Sequence, residues 1–288
     1  MTTSSTPVAV VGCGLMGSGI AEVLARAGRP VLVHEVDAAA AARGRARVES
    51  SLSRAVRHGK LDEAGSSAVL DRITIGTDLD ALAQAELVIE AASEDEAVKV
   101  QLFRRLDEVL VREDAVLASN TSSIPIMKLG TATQRPEQVV GLHFFNPVPV
   151  LALVEVVPSL LTSAERVKKV QDLGADEVGK SVIRSQDRAG FIVNALLVPY
   201  LLSGVRMLES GFASAHDIDA GMVQGCAHPM GPLQLSDLIG LDTIKAIAES
   251  LYAEFKEPLY SPPPMLLRMV DAGLLGRKSG RGFYDYSR

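Results

Sequence analysis

The chain has 288 residues, enough for one large or two ordinary domains around a sizeable core. Its 47% hydrophobic and 22% charged residues are those of a globular protein in water. A net charge of −6 with no basic block leaves no electrostatic footprint for nucleic acid or an anionic membrane surface. The N-terminus "MTTSSTP" lacks the apolar core of a secretory signal. The longest apolar stretches, "VPVLALVEVV" and "FIVNALLVPYLL", are too short to span a bilayer. Cys13 and Cys226 match neither a metal spacing nor a disulfide framework, so no metal site and a reducing, cytoplasmic setting are expected.

The first elements form a compact unit. Val8–Val11 is a short apolar run bounded by glycine, as a buried parallel strand requires. Ile20, Val23, Leu24 and Ala27 then recur at helical spacing over 16–27, and Gly28 ends that helix. Val31–His34 reads as the next strand, which completes a strand–helix–strand unit. Helical patterns follow at 38–59 and, more weakly, at 66–70. "ELVIEAA" is strand-like, "EAVKVQLFRRLDEVL" helical, and "AVLASN", "VVGLHFF" and "LALVEVV" strand-like. A helix over 163–179 leads to the strand-like "SVIRS". This alternation predicts a parallel or mixed sheet covered on both faces, a doubly wound α/β domain over 1–187. Beyond residues 187–189 the pattern changes. "GFIVNALLVPYLLSGVRMLES" reads as one long helix containing Pro199, and few strand signals follow. Residues 188–288 are therefore expected to form a smaller, all-α domain.

Four glycines, Gly12, Gly14, Gly17 and Gly19, crowd into eight residues after the first strand. Glycine is costly in regular structure, so this backbone must be needed bare. Gly12, Gly14 and Gly17 match G-x-G-x-x-G, in which the glycines serve a tight turn, close approach to a pyrophosphate, and close helix–strand packing. The helix that follows supplies free N–H groups to the phosphates. Gly12, Gly14, Leu15, Met16 and Gly17 are accordingly the expected dinucleotide loop. Glu35, at the end of the second strand, is placed to accept both ribose hydroxyls and to repel a 2′-phosphate, which favours NAD over NADP. Asp37 is a less well placed rival, and Arg43 and Arg45 stand close enough to weaken the preference.

Chemistry in such sheets collects at the carboxyl ends of strands. His143 sits there, and a neutral imidazole is a natural proton acceptor for alcohol oxidation. Glu155 follows on the next strand, where the return through "FNPVPVLA" can bring a carboxylate to the ring. Such a pair fixes the tautomer and stabilises the imidazolium, the triad's logic without its serine. Read on its own, Ser122 is either a site hydroxyl or a turn serine. Asn194, in an apolar helix, needs a partner, either a substrate or a carbonyl freed by Pro199.

"VAVVGCGLMGSGIAEVLARAG", "ASNTSSIPI", "GLHFFNPVPV", "GFIVNALLVPYLL", "HPMGPLQLSDLIGLDT" and "GRKSGRGFYDY" occur in that order across nearly the whole chain. In them the sequence resembles the L-3-hydroxyacyl-CoA dehydrogenase family, above all its bacterial single-function 3-hydroxybutyryl-CoA branch. The resemblance implies a Rossmann-type N-terminal domain and an α-helical C-terminal domain that forms a homodimer. It implies NAD as cofactor and interconversion of short-chain (S)-3-hydroxyacyl-CoA and 3-oxoacyl-CoA. By motif, His143 resembles the catalytic base and Glu155 its partner, while Ser122 and Asn194 resemble the groups that bind the reacting oxygen. Glu94, Lys99, Asn120, Asn146 and Lys278 resemble cofactor contacts, with Ser122 at the same pocket. Ser51 and Lys60 fall where the family grips CoA, although "RAVRHGK" does not align uniquely. Three alternatives stay open: the same chemistry on a 3-hydroxyacyl or hydroxymalonyl group carried by acyl carrier protein, the oxidation of sugar acids as in another related branch, and a non-catalytic NAD(H)-sensing module.

Overall fold

The computed structural model describes residues 6–287, so all but the last two residues of "MTTSSTP" lie outside the described residues. The chain divides into two compact units, one ending at Asp187 and the other beginning at Arg188.

The first unit is built on eight strands: β1 (Val8–Val11), β2 (Val31–His34), β3 (Ile73–Gly76), β4 (Leu87–Glu90), β5 (Val116–Ser119), β6 (Val139–Phe144), β7 (Leu153–Pro158) and β8 (Ser181–Arg184). They lie in the order β3-β2-β1-β4-β5-β6-β7-β8. β1 to β6 run parallel; β7 turns back against β6, and β8 follows β7. Every residue of β1, β4, β5 and β6 is buried, as expected for strands covered on both faces. Helices α1 (Leu15–Arg26), α2 (Ala38–Arg57), α3 (Glu63–Asp71), α4 (Glu96–Val109), α5 (Ile126–Gly130) and α6 (Ala164–Asp172) provide the cover. Asp37, Asp62, Asp95 and Ser163 cap α2, α3, α4 and α6 by accepting a backbone N–H of the first turn. Each cap is worth about 1 kcal/mol. Ile20 and Leu24 of α1 are wholly buried against the sheet, at roughly 1.5–3 kcal/mol each.

This is the doubly wound Rossmann-type fold expected from the alternation. Its strand order reverses between β1 and β4, the switch point at which open α/β sheets bind ligands beyond the carboxyl ends of their strands. Two details differ from the sequence reading. β3 is an additional strand, a four-residue "ITIG" at the sheet edge. The helix expected over 163–179 ends at Asp172 and widens into a π turn, Leu173–Glu177. Gly174 in that turn lies so close to the sheet that an added Cβ would stand 2.9 Å from Val182.

The second unit is helical: α7 (Val193–Glu209), α8 (Ala215–Cys226), α9 (Pro232–Ile239), α10 (Leu241–Phe255) and α11 (Pro264–Asp271). Its core joins Val198, Leu201, Leu202 and Val205 of α7 to Leu233, Ile244, Ala248, Leu251 and Leu266. α7 starts later than the apolar run, because Gly190 and Phe191 both adopt left-handed backbone (φ 74° and 50°) just before it. The C-terminal "GRGFYDY" is tied down by buried Asp237, which accepts the N–H groups of Phe283 and Tyr284 at 2.9 Å. Among the described residues, no helix is long and apolar enough to cross a membrane.

Candidate active site

The glycine turn divides its tasks as the spacing demands. Gly12 turns with φ 90°, and a Cβ there would meet the Ala91 carbonyl oxygen at 2.7 Å. A Cβ on Gly17 would lie 1.8 Å from the Gly12 carbonyl oxygen, so α1 reaches the strand only because that atom is missing. A Cβ on Gly14 would meet nothing within 4 Å. Gly14 therefore opens onto space at the N-cap of α1, where free N–H groups and the helix dipole favour a phosphate. Leu15, mostly exposed, and half-buried Met16 complete the loop.

Glu35, one residue beyond β2, accepts the Cys13 N–H and, at 3.2 Å, the Val36 N–H. This fixes a carboxylate beside the glycine turn, as a ribose acceptor requires. Burial, and then the neighbouring Glu35 charge, push the Cys13 thiol up to about 11, against the pull of Arg47. Cys13 is thus a neutral packing residue.

His143 and Glu155 face each other directly across the antiparallel β6–β7 pair. Their side chains meet with Nδ1 to Oε2 at 2.8 Å. Glu155 is fully buried and His143 is 6% exposed. The Phe145 ring lies 4.5 Å from the imidazole at 60°. Asn120, just past β5, accepts the Phe144 N–H on its Oδ1 at 2.9 Å, which ties the end of β6 to the end of β5 beside the histidine.

The "SNTSS" corner is organised by acids. Glu94 Oε1 accepts the Ser122 N–H at 2.9 Å and the hydroxyls of Thr121, Ser123 and Ser122 at 2.5, 3.1 and 3.4 Å. Burial pushes the Glu94 carboxyl up, but Lys99 and these donors outweigh it and hold it below the usual carboxylate range. Lys99, expected as a cofactor contact, is 1% exposed. Its ammonium donates to Glu90 Oε1 at 2.5 Å and stands 3.3 Å from Glu94.

A cleft of about 490 Å3 runs between α1, α2 and the loop 146–149. Ser51 and exposed Asn146 line it, together with Arg43, Arg47 and Arg54. Lys60 is exposed beyond the end of α2 and is not among the cleft's walls. The sequence reading gave these arginines no substrate role, yet their positions in a 20-residue amphipathic helix, four and seven residues apart, place them on one face. Asn194 and Lys278 belong to the second unit. Asn194 is buried in the first turn of α7, and Lys278 pairs with Asp242 at 2.6 Å.

The geometry is that of a dinucleotide fold carrying a histidine–carboxylate pair, and comparison with known proteins agrees. Residues 7–188 match the model of the 3-hydroxyacyl-CoA dehydrogenase NAD binding domain, and residues 190–286 match that of the C-terminal domain of the same family. The chain is 57% identical, over 99% of its length and 100% of the relative's, to a 3-hydroxybutyryl-CoA dehydrogenase of Mycobacterium tuberculosis. The crystal structure of M. tuberculosis FadB2 superposes with a TM-score of 0.97, at 57% identity, covering 99% of this chain and 100% of that one. That of (S)-3-hydroxybutyryl-CoA dehydrogenase from Ralstonia eutropha gives 0.93 at 44% identity, again over 99% and 100%. The chain belongs to the 3-hydroxyacyl-CoA dehydrogenase family and is an NAD-dependent oxidoreductase.

Proposed function

We propose that the protein reversibly oxidises short-chain (S)-3-hydroxyacyl-CoA to 3-oxoacyl-CoA, with the 3-hydroxybutyryl and acetoacetyl thioesters as its pair. The observation that carries this reading is the His143–Glu155 contact across β6 and β7, at the carboxyl end of β6 and buried from water. Relatives sharing 57% and 40% of the sequence bear the name 3-hydroxybutyryl-CoA dehydrogenase.

The N–H groups around Gly14 would hold the pyrophosphate of NAD and Glu35 its adenosine ribose. The bound nicotinamide supplies the hydride acceptor in one direction and the donor in the other. Glu155 accepts the Nδ1 proton of His143, so Nε2 takes the C3 hydroxyl proton in oxidation and returns it in reduction. The same carboxylate offsets the charge of the transient imidazolium. Ser122 and Asn194 polarise the C3 oxygen as it gains alkoxide character. Ser51, Arg43, Arg47 and Arg54 in the cleft meet the phosphates of CoA. Glu94, Asn120, Asn146 and Lys278 serve the cofactor side, and Lys99 acts there through the two carboxylates it holds. The apolar residues exposed on the second unit, Leu196, Phe212 and Leu238 among them, support a homodimer through that unit.

Absorbance at 340 nm tests the reading. Acetoacetyl-CoA should drive NADH oxidation faster than longer 3-oxoacyl thioesters or carrier-protein thioesters do. NADH that binds but is not consumed with any of them would overturn it.

A further inference from the structure

The least expected feature of the catalytic end is Glu90, the last residue of β4. It is a carboxylate with no measurable exposure at the end of an otherwise apolar strand. Three separate parts of the site converge on it. Oε1 accepts the Ala92 N–H at 2.7 Å, which shapes the turn leaving β4. The same oxygen accepts the Lys99 ammonium of α4, itself buried. Oε2 accepts the Ser119 hydroxyl at 2.6 Å, and that hydroxyl oxygen accepts the Thr121 N–H at 3.2 Å. The Glu90 carbonyl accepts the Asn120 N–H at 2.8 Å.

Each contact lies one step from a group with a role in the reaction. Ala91, next to the shaped turn, is the residue Gly12 packs against, and its N–H donates to the Val11 carbonyl. Thr121 and Ser122 are bound on their other side by Glu94, which Lys99 also holds. Asn120 reaches from this corner to the Phe144 N–H beside His143. The buried carboxylate thus links the turn beside Gly12 to the Ser119–Ser122 corner, and the backbone carbonyl of the same residue holds Asn120, which reaches the end of the histidine strand. A buried charge is costly unless paired, and here Lys99 provides the pair. Replacing the two by apolar residues is often neutral or stabilising, so stability alone does not account for them.

We propose that Glu90, neutralised by Lys99, is a positioning residue for the reaction, setting the Ser119–Ser122 corner against His143 and the glycine turn. The inference rests on the proposed dehydrogenase reading for the groups it positions. Glu90 itself touches neither substrate nor cofactor in this account. Its loss should therefore act on the alignment of the chemical step, where misplacement of about 1 Å costs on the order of a hundredfold.

The test compares Glu90→Gln with the charge-neutral double variant Glu90→Gln/Lys99→Met. Melting temperature reports folding, and acetoacetyl-CoA with NADH reports kcat and KM. NADH deuterated at C4 reports the isotope effect on kcat, and amide hydrogen exchange reports protection at residues 119–122 and 144. Glu90→Gln should lower kcat about 10- to 100-fold, with a smaller change in KM for acetoacetyl-CoA. The double variant should regain the melting temperature but not kcat. In both, the isotope effect should rise and protection at the corner should fall. Recovery of kcat together with melting temperature, or kcat within about threefold of the parent and unchanged corner protection, would overturn the proposal. A parent enzyme inert toward acetoacetyl-CoA would count against the substrate reading instead, and the exchange measurement would still decide the role of Glu90.

Discussion

The two ends of the sheet both bury charge, but they spend it differently. At the amino ends of the strands, Arg29 is 2% exposed and bonds Glu177 at 2.7 Å, Glu86 and the Thr6 carbonyl. Lys169 stands 3.7 Å from Glu86 and 3.8 Å from Asp114. These groups answer one another and fasten the end of α6 to the strands. At the carboxyl ends, beside the Glu90–Lys99 pair, charge is aimed at backbone and at imidazole: Glu35 at the glycine turn, Glu94 at the Ser122 corner, Glu155 at His143. Buried charge by itself therefore does not mark chemistry. What marks the reactive end is charge that orients groups facing an open space, such as the one at Gly14.

Substitutions at the two ends should separate activity from stability. The largest effect on rate is expected from His143→Gln. General acid–base catalysis is worth about 10²–10⁴-fold, so kcat should drop by at least the lower figure while NADH still binds, as titration of its fluorescence would show. Glu155→Gln comes next. It leaves the ring without its anionic partner, and kcat should fall about tenfold or more with an altered pH profile. At the other end, Arg29→Met should cost about 1–3 kcal/mol in urea unfolding through the bonds lost to Glu177, Glu86 and the Thr6 carbonyl, with Lys169 still beside Glu86, yet turnover per folded molecule should match the parent. A fall in kcat there would break the contrast between the two ends. Glu35→Ala should narrow the NADH-over-NADPH preference by about tenfold, the worth of one contact of ~1.4 kcal/mol, in paired kcat/KM measurements.

The smallest expected effect is on pH stability. The folded Glu94 carboxyl titrates below its ordinary value of about 4.3, so its contribution is present above that pH and is lost as pH falls through the lower, folded value. Glu94→Gln should reduce the loss of stability on acidification, and identical acid melting curves for the two proteins would remove Glu94 from that transition.

The elements that were legible in the sequence are those whose physics is local. The glycines of "GCGLMG" had to serve a turn and two close approaches, and Gly12 and Gly17 do so through contacts that no side chain would survive. His143 and Glu155 were readable as a pair because a short return brings adjacent strands into register. β3 is not legible in the sequence because four residues at a sheet edge carry too little periodicity. The burial of Lys99 is not legible because the amphipathic pattern of α4 does not say that a carboxylate waits beneath the helix. Glu90 was invisible for the complementary reason. Only a charge ending an apolar strand hinted at it, and its partners come from two distant segments. Nothing local joins Arg43, Arg47 and Arg54 of α2 to a cleft, because its opposite wall is the distant loop 146–149.

The central claim is that one imidazole, held by Glu155, handles the proton of the C3 hydroxyl. A crystal structure with NAD+ and acetoacetyl-CoA tests this most directly. The account predicts the C3 oxygen within about 2.6–3.2 Å of His143 Nε2, with Glu155 still on Nδ1. A C3 oxygen bound away from that ring, with another titratable group at hydrogen-bond distance, would contradict it.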